Sequence, residues 1–452
     1  MVKQSDQKTQ PQEESQELTR REFVQTTSAA ASASALLASM TATAEEKKPD
    51  DINIAMIGPG SQGRNLILNS VKTPGIRYKA LCDIWPYHQN YARKYLKAYK
   101  HIVNVYSDYR EMLAQEKDLD AVIIATPDWL HAEHTIACLK AGLHVYCEKE
   151  MSNTIEGARS MADAARETGK LLQIGHQRRS NIRYHHAIKL ITKDKILGQI
   201  NHFSGQWNRA RRLDIGWPKK EPLDEATLKK FGYDTMERFR NWRWYRKFSG
   251  GPIADLGSHQ VDIFSWFLQA HPKAVLASGG TDYYKKSEWY DNIMAIYEYE
   301  KEYGTVRGTY QVLNTTSHGG FYETFMGDQG SMVISEDTKK GFFFREVHAK
   351  RREWEDQSET FDKMDKKAFE LKIGETLTAD GKKDPKGQKL LAESKKKPHQ
   401  LHLENFFSAI RNGTPLTCPA EVGFETAVSV LRVNEAVEKE QKYFFKPEEF
   451  KA

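Results

Sequence analysis

Apolar positions in the first third of the chain come as short uninterrupted runs, separated by stretches with helical spacing. Ile52 to Ile57, Tyr78 to Cys82, Ala121 to Ala125, Leu143 to Cys147 and Leu171 to Ile174 each have the length of a strand. The wholly apolar Ala121–Ala125 run fits a strand covered on both faces, as in a parallel sheet. Between these runs, Arg64 onward, His131 to Ala141 and Ile155 to Thr168 predict helices, the last two closed by Gly142 and Gly169. Alternating strands and helices imply a right-handed parallel sheet. Ligands of such sheets bind beyond the carboxyl ends of the strands.

After residue 175 the pattern changes. Phe203 to Trp207 and Ile293 to Tyr299 alternate or run apolar, as sheet strands do, and Phe325 to Ile334 reads as a turn leading into a strand. Residues 336–398 are charged and Lys-rich, which predicts a surface insertion, irregular or partly helical. Leu403 to Arg411 and Val422 to Lys439 are helical, with Asn412-Gly413 ending the first. The expected organisation is an α/β nucleotide-binding domain over residues 50–175 and a second domain over 176–452.

Composition narrows the class. Hydrophobic residues make up 39% and charged residues 28% of 452, which describes an ordinary globular chain rather than a disordered one. The net charge of +6 is spread out, with no basic stripe interleaved with aromatics, so nucleic acid is not an expected partner. Cys82, Cys138, Cys147 and Cys418 form no CxxC or zinc-type spacing; inert buried thiols and no metal are expected. No run long enough to span a membrane follows the first 44 residues.

Those 44 residues stand apart. Thr19-Arg20-Arg21-Glu22-Phe23-Val24 resembles a twin-arginine export motif. An alanine-rich, weakly apolar stretch from Ala29 to Met40 follows, then Ala42-Thr43-Ala44, which has the small-x-small form of a cleavage site. Recognition by the twin-arginine export machinery and a periplasmic location are the expectation. That route carries folded proteins, which suits a protein that must capture a cofactor before leaving the cytosol.

A cofactor is indicated by Gly58-Pro59-Gly60-Ser61-Gln62-Gly63, a G-x-G-x-x-G placed between strand and helix. The first glycine permits the turn, the second lets backbone approach pyrophosphate, and the third lets helix and strand close up. Asp83 ends the next strand, 25 residues after Gly58. A carboxylate there accepts from both ribose hydroxyls and repels a 2′-phosphate, so NAD is favoured over NADP. Its alternative role is to cap the following helix. With Gly58, Gly60, Ser61, Gln62, Gly63 and Asp83, the expected dinucleotide contacts are Thr126, Pro127, Glu148 and Lys149, at the ends of two further strands.

Glu148-Lys149-Glu150 follows the "HVYC" strand, and "GGPIADLGSHQVDIF" supplies Asp255 and His259. With the glycine fingerprint and the C-terminal "HLENFFSAIRNGTPLTCPAEVGFETAVSVLRVNEA", these resemble the family of glucose–fructose oxidoreductase, inositol dehydrogenase and MocA (Gfo/Idh/MocA). The resemblance covers most of residues 50–445. It implies a Rossmann domain followed by an α/β domain with a large, open, mainly antiparallel sheet. It also implies a catalytic Lys149 with Asp255 and His259. Glu150 departs from the family pattern, which has proline there.

Oxidising a secondary alcohol needs a hydride acceptor, a base for the hydroxyl proton and a donor to the developing alkoxide. NAD is the expected acceptor. His259 is the expected base. Asp255, four residues earlier and on the same face of a helix, would orient it. Lys149 would donate to the oxygen. Gln177, Arg178 and Arg179, beyond the Leu171–Ile174 strand, and Trp244 and Tyr245 of "NWRWYRKFSGG", are candidate substrate contacts, with plain packing and surface charge as the alternative.

Export adds a constraint, because a dissociable cofactor would be lost outside the cytosol. A retained NAD must then return to its starting state in each cycle. Two reactions satisfy this. In one, a sugar is oxidised and another carbonyl reduced. In the other, a glycoside is oxidised transiently at C3, eliminated, hydrated and reduced again, as resemblance to the family's NAD-dependent glycosidases would imply. A non-catalytic sugar-binding protein that holds a nucleotide is the alternative of another class. The partner is a small sugar or polyol, and a homo-oligomer is expected.

Overall fold

A computed structural model describes residues 50–210, 215–352, 360–363, 366–370 and 392–452, so the expected export signal at residues 1–44 lies outside the described residues. The first sheet is wholly parallel, in the order β3-β2-β1-β4-β5-β6. Its strands are β1 (Ile52–Ile57), β2 (Ile76–Cys82), β3 (Asn104–Tyr106), β4 (Ala121–Ile124), β5 (His144–Cys147) and β6 (Leu172–Ile174). The helices between them are α1 (Ser61–Ser70), α2 (Pro86–Ala98), α3 (Tyr109–Gln115), α4 (Asp128–Lys140) and α5 (Ile155–Thr168). Every residue of β1 and β4 is buried, as the uninterrupted apolar runs require. The helices α1 and α4 each begin three residues before the hydrophobic periodicity does, at Ser61 and Asp128. Apolar spacing starts only where a helix first meets the sheet, so it does not mark the preceding turn. Thr154 caps α5 by accepting from the Gly157 N–H, and Gly169 ends it at φ 64°, a left-handed conformation glycine adopts without strain.

A turn at Gln177–Ser180 leads through α6 (Ile182–Thr192) into the second sheet. Its first strand, β7 (Ile200–Asn208), is followed by two short helices, α7 (Glu225–Lys230) and α8 (Met236–Arg240), and then α9 (Ser258–Leu268). The strands β8 (Pro272–Gly280), β9 (Asn292–Lys301), β10 (Gly304–Leu313), β11 (Phe321–Gly327) and β12 (Gly330–Ile334) continue the sheet. Among the described strands of this sheet, only β7 and β10 pair in parallel; the remaining pairs are antiparallel.

The charged segment 336–398, expected to be irregular or partly helical, is helical at 392–394 but also carries strands. It supplies β13 (Gly341–Arg345), β14 (Thr360–Lys363) and β15 (Lys366–Glu370), which extend the sheet beyond β12. Phe343 and Phe369 are buried and their rings lie 6.2 Å apart. Cross-strand aromatic packing thus holds this edge despite the surrounding lysines. Phe325 likewise belongs to β11 rather than to a turn; the turn is confined to Asp328-Gln329.

Two long helices, α10 (Pro398–Asn412) and α11 (Ala420–Lys439), return to the first domain. One apolar cluster runs without a break from Ile57, Ile124 and Cys147 through Phe264 and Tyr310 to Phe424 and Val428. The two sheets therefore share a core, and the crevice between them is held by packing. All four cysteines are buried and unpaired. No described helix is long and apolar enough to cross a membrane.

Candidate active site

The glycine turn is shaped by close approaches. Gly58 has φ 83°, and a Cβ there would lie 2.9 Å from the Ala125 carbonyl carbon and oxygen. A Cβ at Gly63 would lie 2.2 Å from the Gly58 oxygen and 2.5 Å from Met56 Cε, so this glycine is what lets α1 close on β1. Gly60 differs, because a Cβ there meets nothing nearer than His88 Cε1 at 3.5 Å. Its bare backbone leaves room for a ligand. No side chain caps α1 and its first turn holds no acid, so its leading N–H groups are open to an anion. This cradle fits a pyrophosphate.

Asp83 lies beyond β2, at the neighbouring corner of the crevice. One carboxylate oxygen accepts from the Trp85 N–H at 2.8 Å, and the other lies 3.0 Å from His88 Nδ1. Asp83 thus braces the approach to α2 without capping it, since the N-cap residue is Trp85 and no side chain caps the helix. Thr126 Oγ1 lies 3.2 Å from His134 Nδ1, and Pro127 leads into α4. The buried ring of His131, not anticipated from the sequence, sits 2.7 Å from the carbonyl oxygens of both Thr126 and Glu150, tying the β4 loop to the β5 loop. Glu148 accepts from Gln62 Nε2 at 3.0 Å, fastening the β5 loop to α1, while Gln62 also lies 3.1 Å from His399 at the start of α10.

Lys149 crosses the crevice. Its Nζ donates to the Asp255 carbonyl and lies 3.6 Å from Asp255 Oδ1. Arg243 Nε donates to the same carboxylate oxygen at 3.0 Å. The Lys149–Glu150 peptide is cis. The Glu150 side chain is fully buried and accepts from the Met151 N–H at 2.7 Å. Burial pushes its carboxyl up to about 8, against the pull of Met151 N–H and Lys149. Burial likewise lifts Asp128, at the start of α4, to about 7, with Lys149 opposing.

His259 is the second residue of α9, just after a wide, π-type turn at Ile253–Gly257 that contains Asp255. The sequence leads one to expect Asp255 to orient the His259 ring. The carboxylate instead engages Lys149 and Arg243, and His259 Nδ1 has no hydrogen-bond partner among the described residues. The ring packs 5.4 Å from Trp207 and 6.3 Å from His176. Burial, reinforced by Lys149 and Arg178, holds its pKa well below the ordinary imidazole value, so the ring is neutral.

The expected substrate contacts divide. Arg178 is buried in an ion-pair cluster, its Nη1 donating to Glu323 and its Nε to Glu336 at 3.2 Å. Arg179 Nε donates to Asp262 at 2.7 Å, and Gln177 Nε2 to Glu336 at 3.2 Å. Neither arginine is left as a free cation, because burying one without a carboxylate would be costly. Tyr245 lies away from the site, with its hydroxyl on Glu237 at 2.6 Å and its ring in a separate aromatic cluster. Trp244 does border the site, lining a small cavity with Arg243, Pro252, Asp255, Leu256 and Asn314. His176 and Asp128 were passed over in the sequence, and Glu150 was noted only for standing in place of a proline. Each is a polar residue next to a strand end or a chemistry-bearing motif, which is the signal that could have found them.

A Rossmann domain coupled through a crossing lysine to a large open sheet defines a dinucleotide-dependent oxidoreductase architecture. The chain matches the oxidoreductase family model for the NAD-binding Rossmann fold over residues 52–176, and that for the C-terminal alpha/beta domain over residues 222–444. It belongs to the Gfo/Idh/MocA family. It is 44% identical over 168 residues to a 1,5-anhydro-D-fructose reductase of Ensifer adhaerens, covering 37% of this chain and 43% of that protein. It is 37% identical over 169 residues to a scyllo-inositol 2-dehydrogenase (NADP(+)) of Bacillus subtilis, covering 37% of this chain and 40% of that protein. The matched stretch thus spans about two-fifths of the length of these relatives. In fold, it superposes on the WlbA dehydrogenase of Bordetella pertussis, solved with NADH and UDP-GlcNAcA, with TM-score 0.64 and 19% identity over 88% of this chain and 98% of that one.

Proposed function

We propose that this protein oxidises a secondary hydroxyl of a sugar or polyol by hydride transfer to a tightly held nicotinamide dinucleotide. The observation that carries this reading is the reach of Lys149 from the end of β5 to Asp255, across the crevice beside the glycine cradle. Gly58, Gly60, Ser61, Gln62 and Gly63 would hold the pyrophosphate, and Thr126, Pro127 and Glu148 would flank the nicotinamide end. The dinucleotide, when bound, supplies the hydride acceptor. Lys149, steadied by Asp255 and Arg243, donates to the reacting oxygen. Neutral His259 takes the hydroxyl proton as the carbon–oxygen double bond forms.

NAD is favoured over NADP by the Asp83 carboxylate, which would repel a 2′-phosphate. The relative named for NADP(+) makes this a point for direct measurement.

Retention is supported by a roof of aromatic side chains from residues 215–249. Trp85, two residues past Asp83, donates to the Glu221 carbonyl at 2.8 Å and lies under the Arg240 guanidinium. Trp129, three residues past Thr126, packs 5.7 Å from Tyr233 and 5.4 Å from Phe248. Were a cofactor held beneath these contacts, its release would require them to part. A retained cofactor also suits export by the twin-arginine machinery to the periplasm, with Arg20 and Arg21 as the signal. A homo-oligomer is supported by the outer face of the second sheet, where Leu276, Met294 and Ile296 are exposed on paired strands.

Denaturing the purified protein and assaying the supernatant tests retention. The expected result is one nicotinamide dinucleotide, without a 2′-phosphate, per chain. Lys149→Met should keep that dinucleotide and lose at least ~100-fold in sugar oxidation. A chain that releases no dinucleotide, or a Lys149→Met variant of full activity, would overturn the reading.

A further inference from the structure

Five buried side chains beyond β6 carry polar atoms that nothing satisfies among the described residues. They are Nδ1 and Nε2 of His176, Oε1 of Gln177, Nη2 of Arg178, Nδ1 of His259 and Oδ2 of Asp262. All five residues are buried, His176 at 1% exposure. They form one neighbourhood: the His176 ring lies 6.3 Å from that of His259, and Arg179 links the turn to Asp262 at 2.7 Å. A turn kept only for packing would not concentrate unmet donors and acceptors, since each costs free energy that an apolar residue would avoid.

We propose that this turn is a subsite reading the hydroxyls of an uncharged sugar, in which His176 contacts a second hydroxyl of the ring oxidised at His259. The assignment rests on the alcohol-oxidising reading above and adds the substrate's charge class and a contact residue. Its chemistry follows from the atoms available. Burial holds His176 at about 4, so the ring is neutral, with one nitrogen donating and one accepting. A hydroxyl both donates and accepts, and matches it. A carboxylate or phosphate only accepts, and would seek a cation. The cations of this turn are already committed, Arg178 to Glu323 and Glu336 and Arg179 to Asp262. Trp207, stacked 4.8 Å from Phe321 and packed against His259, adds an aromatic face beside the same hydroxyl-binding atoms.

The test compares His176→Phe, which keeps a ring and removes both nitrogens, with His176→Gln, which restores a donor and an acceptor. KM and kcat are measured for the best sugar found, together with dinucleotide retention and the unfolding midpoint. The expected result is a KM raised at least ~10-fold in His176→Phe, largely recovered in His176→Gln, with the dinucleotide still bound. On the wild-type protein, a carboxylated or phosphorylated form of the same sugar should show a kcat/KM at least ~10-fold lower than the uncharged form. This second comparison needs no variant and stands even if His176→Phe fails to fold. A KM within ~2-fold of wild type in His176→Phe, as expected if only water fills the turn, overturns the subsite. So does preference for the charged sugar. Wild-type protein that oxidises no sugar or polyol overturns the oxidoreductase reading first, and the subsite with it.

Discussion

Replacing Glu150 with glutamine isolates the consequence of a carboxyl buried beside Lys149, where the family pattern has proline. Glu150 is fully buried, one oxygen accepts from Met151 N–H, and the other has no partner among the described residues. The charged neighbours acting on it are Lys149, which favours its ionised form, and Asp128 and Asp262, which oppose it. The net effect raises its folded-state pKa from 4.5 to about 8. Below pH 4.5 the carboxyl is protonated in both folded and unfolded chains and contributes no pH dependence. Between 4.5 and about 8 the unfolded chain releases the proton and the folded chain keeps it, so stability falls as pH rises. At about 1.4 kcal/mol per pH unit, the loss reaches about 3 kcal/mol at pH 7 and levels off near pH 8. Glutamine does not titrate, so Glu150→Gln should gain stability over wild type progressively across that interval. Asp128, lifted to about 7, is present in both proteins and largely cancels. The assay is urea unfolding of the two holoproteins at pH 5, 6, 7 and 8. A difference that stays constant with pH, or grows toward acid, would refute the reasoning.

Further substitutions probe the other elements of the account. Gly58→Ala should destabilise by about 1–3 kcal/mol, because the residue holds φ 83° against the Ala125 backbone, and thermal unfolding would show it. Gly60→Ala should fold normally yet bind dinucleotide at least ~10-fold more weakly, read by titrating stripped protein, because its Cβ meets only ligand space. Asp83→Asn keeps an acceptor for Trp85 N–H and removes the charge. It should raise the ratio of NADP to NAD efficiency at least ~10-fold in reconstituted enzyme. Phe343→Ala should cost about 3–5 kcal/mol in denaturant unfolding, because its ring is buried between β12 and the added strands.

The parallel sheet was legible from β1, β4 and β5, because strands covered on both faces leave uninterrupted apolar runs. The glycine turn was legible because Gly58 and Gly63 each answer a backbone contact, at the neighbouring strand or within a few residues, while Gly60 leaves its side open. What the sequence concealed depended on partners far along the chain. Arg178 reads as a free cation until Glu323, 145 residues later, is seen against it. Asp255 reads as the partner of His259 until Lys149, 106 residues earlier, is seen against it. The strands of the 336–398 segment were hidden because lysines and acids outnumber the few aromatics that pack inward. His176 carries no helical or strand periodicity to announce it; its place just past β6 is its one signal in the sequence, and its unmet nitrogens emerge in the folded chain.

The most direct measurement mixes the purified protein, with no cofactor added, with uncharged sugars and polyols under anaerobic conditions and follows the near-ultraviolet band of reduced nicotinamide. The account predicts that at least one sugar raises that band by up to one equivalent per chain, and that Lys149→Met does not respond. A protein that carries its dinucleotide yet shows no change with any of them would contradict the claim that a hydride passes from a sugar carbon to the nucleotide at the glycine turn.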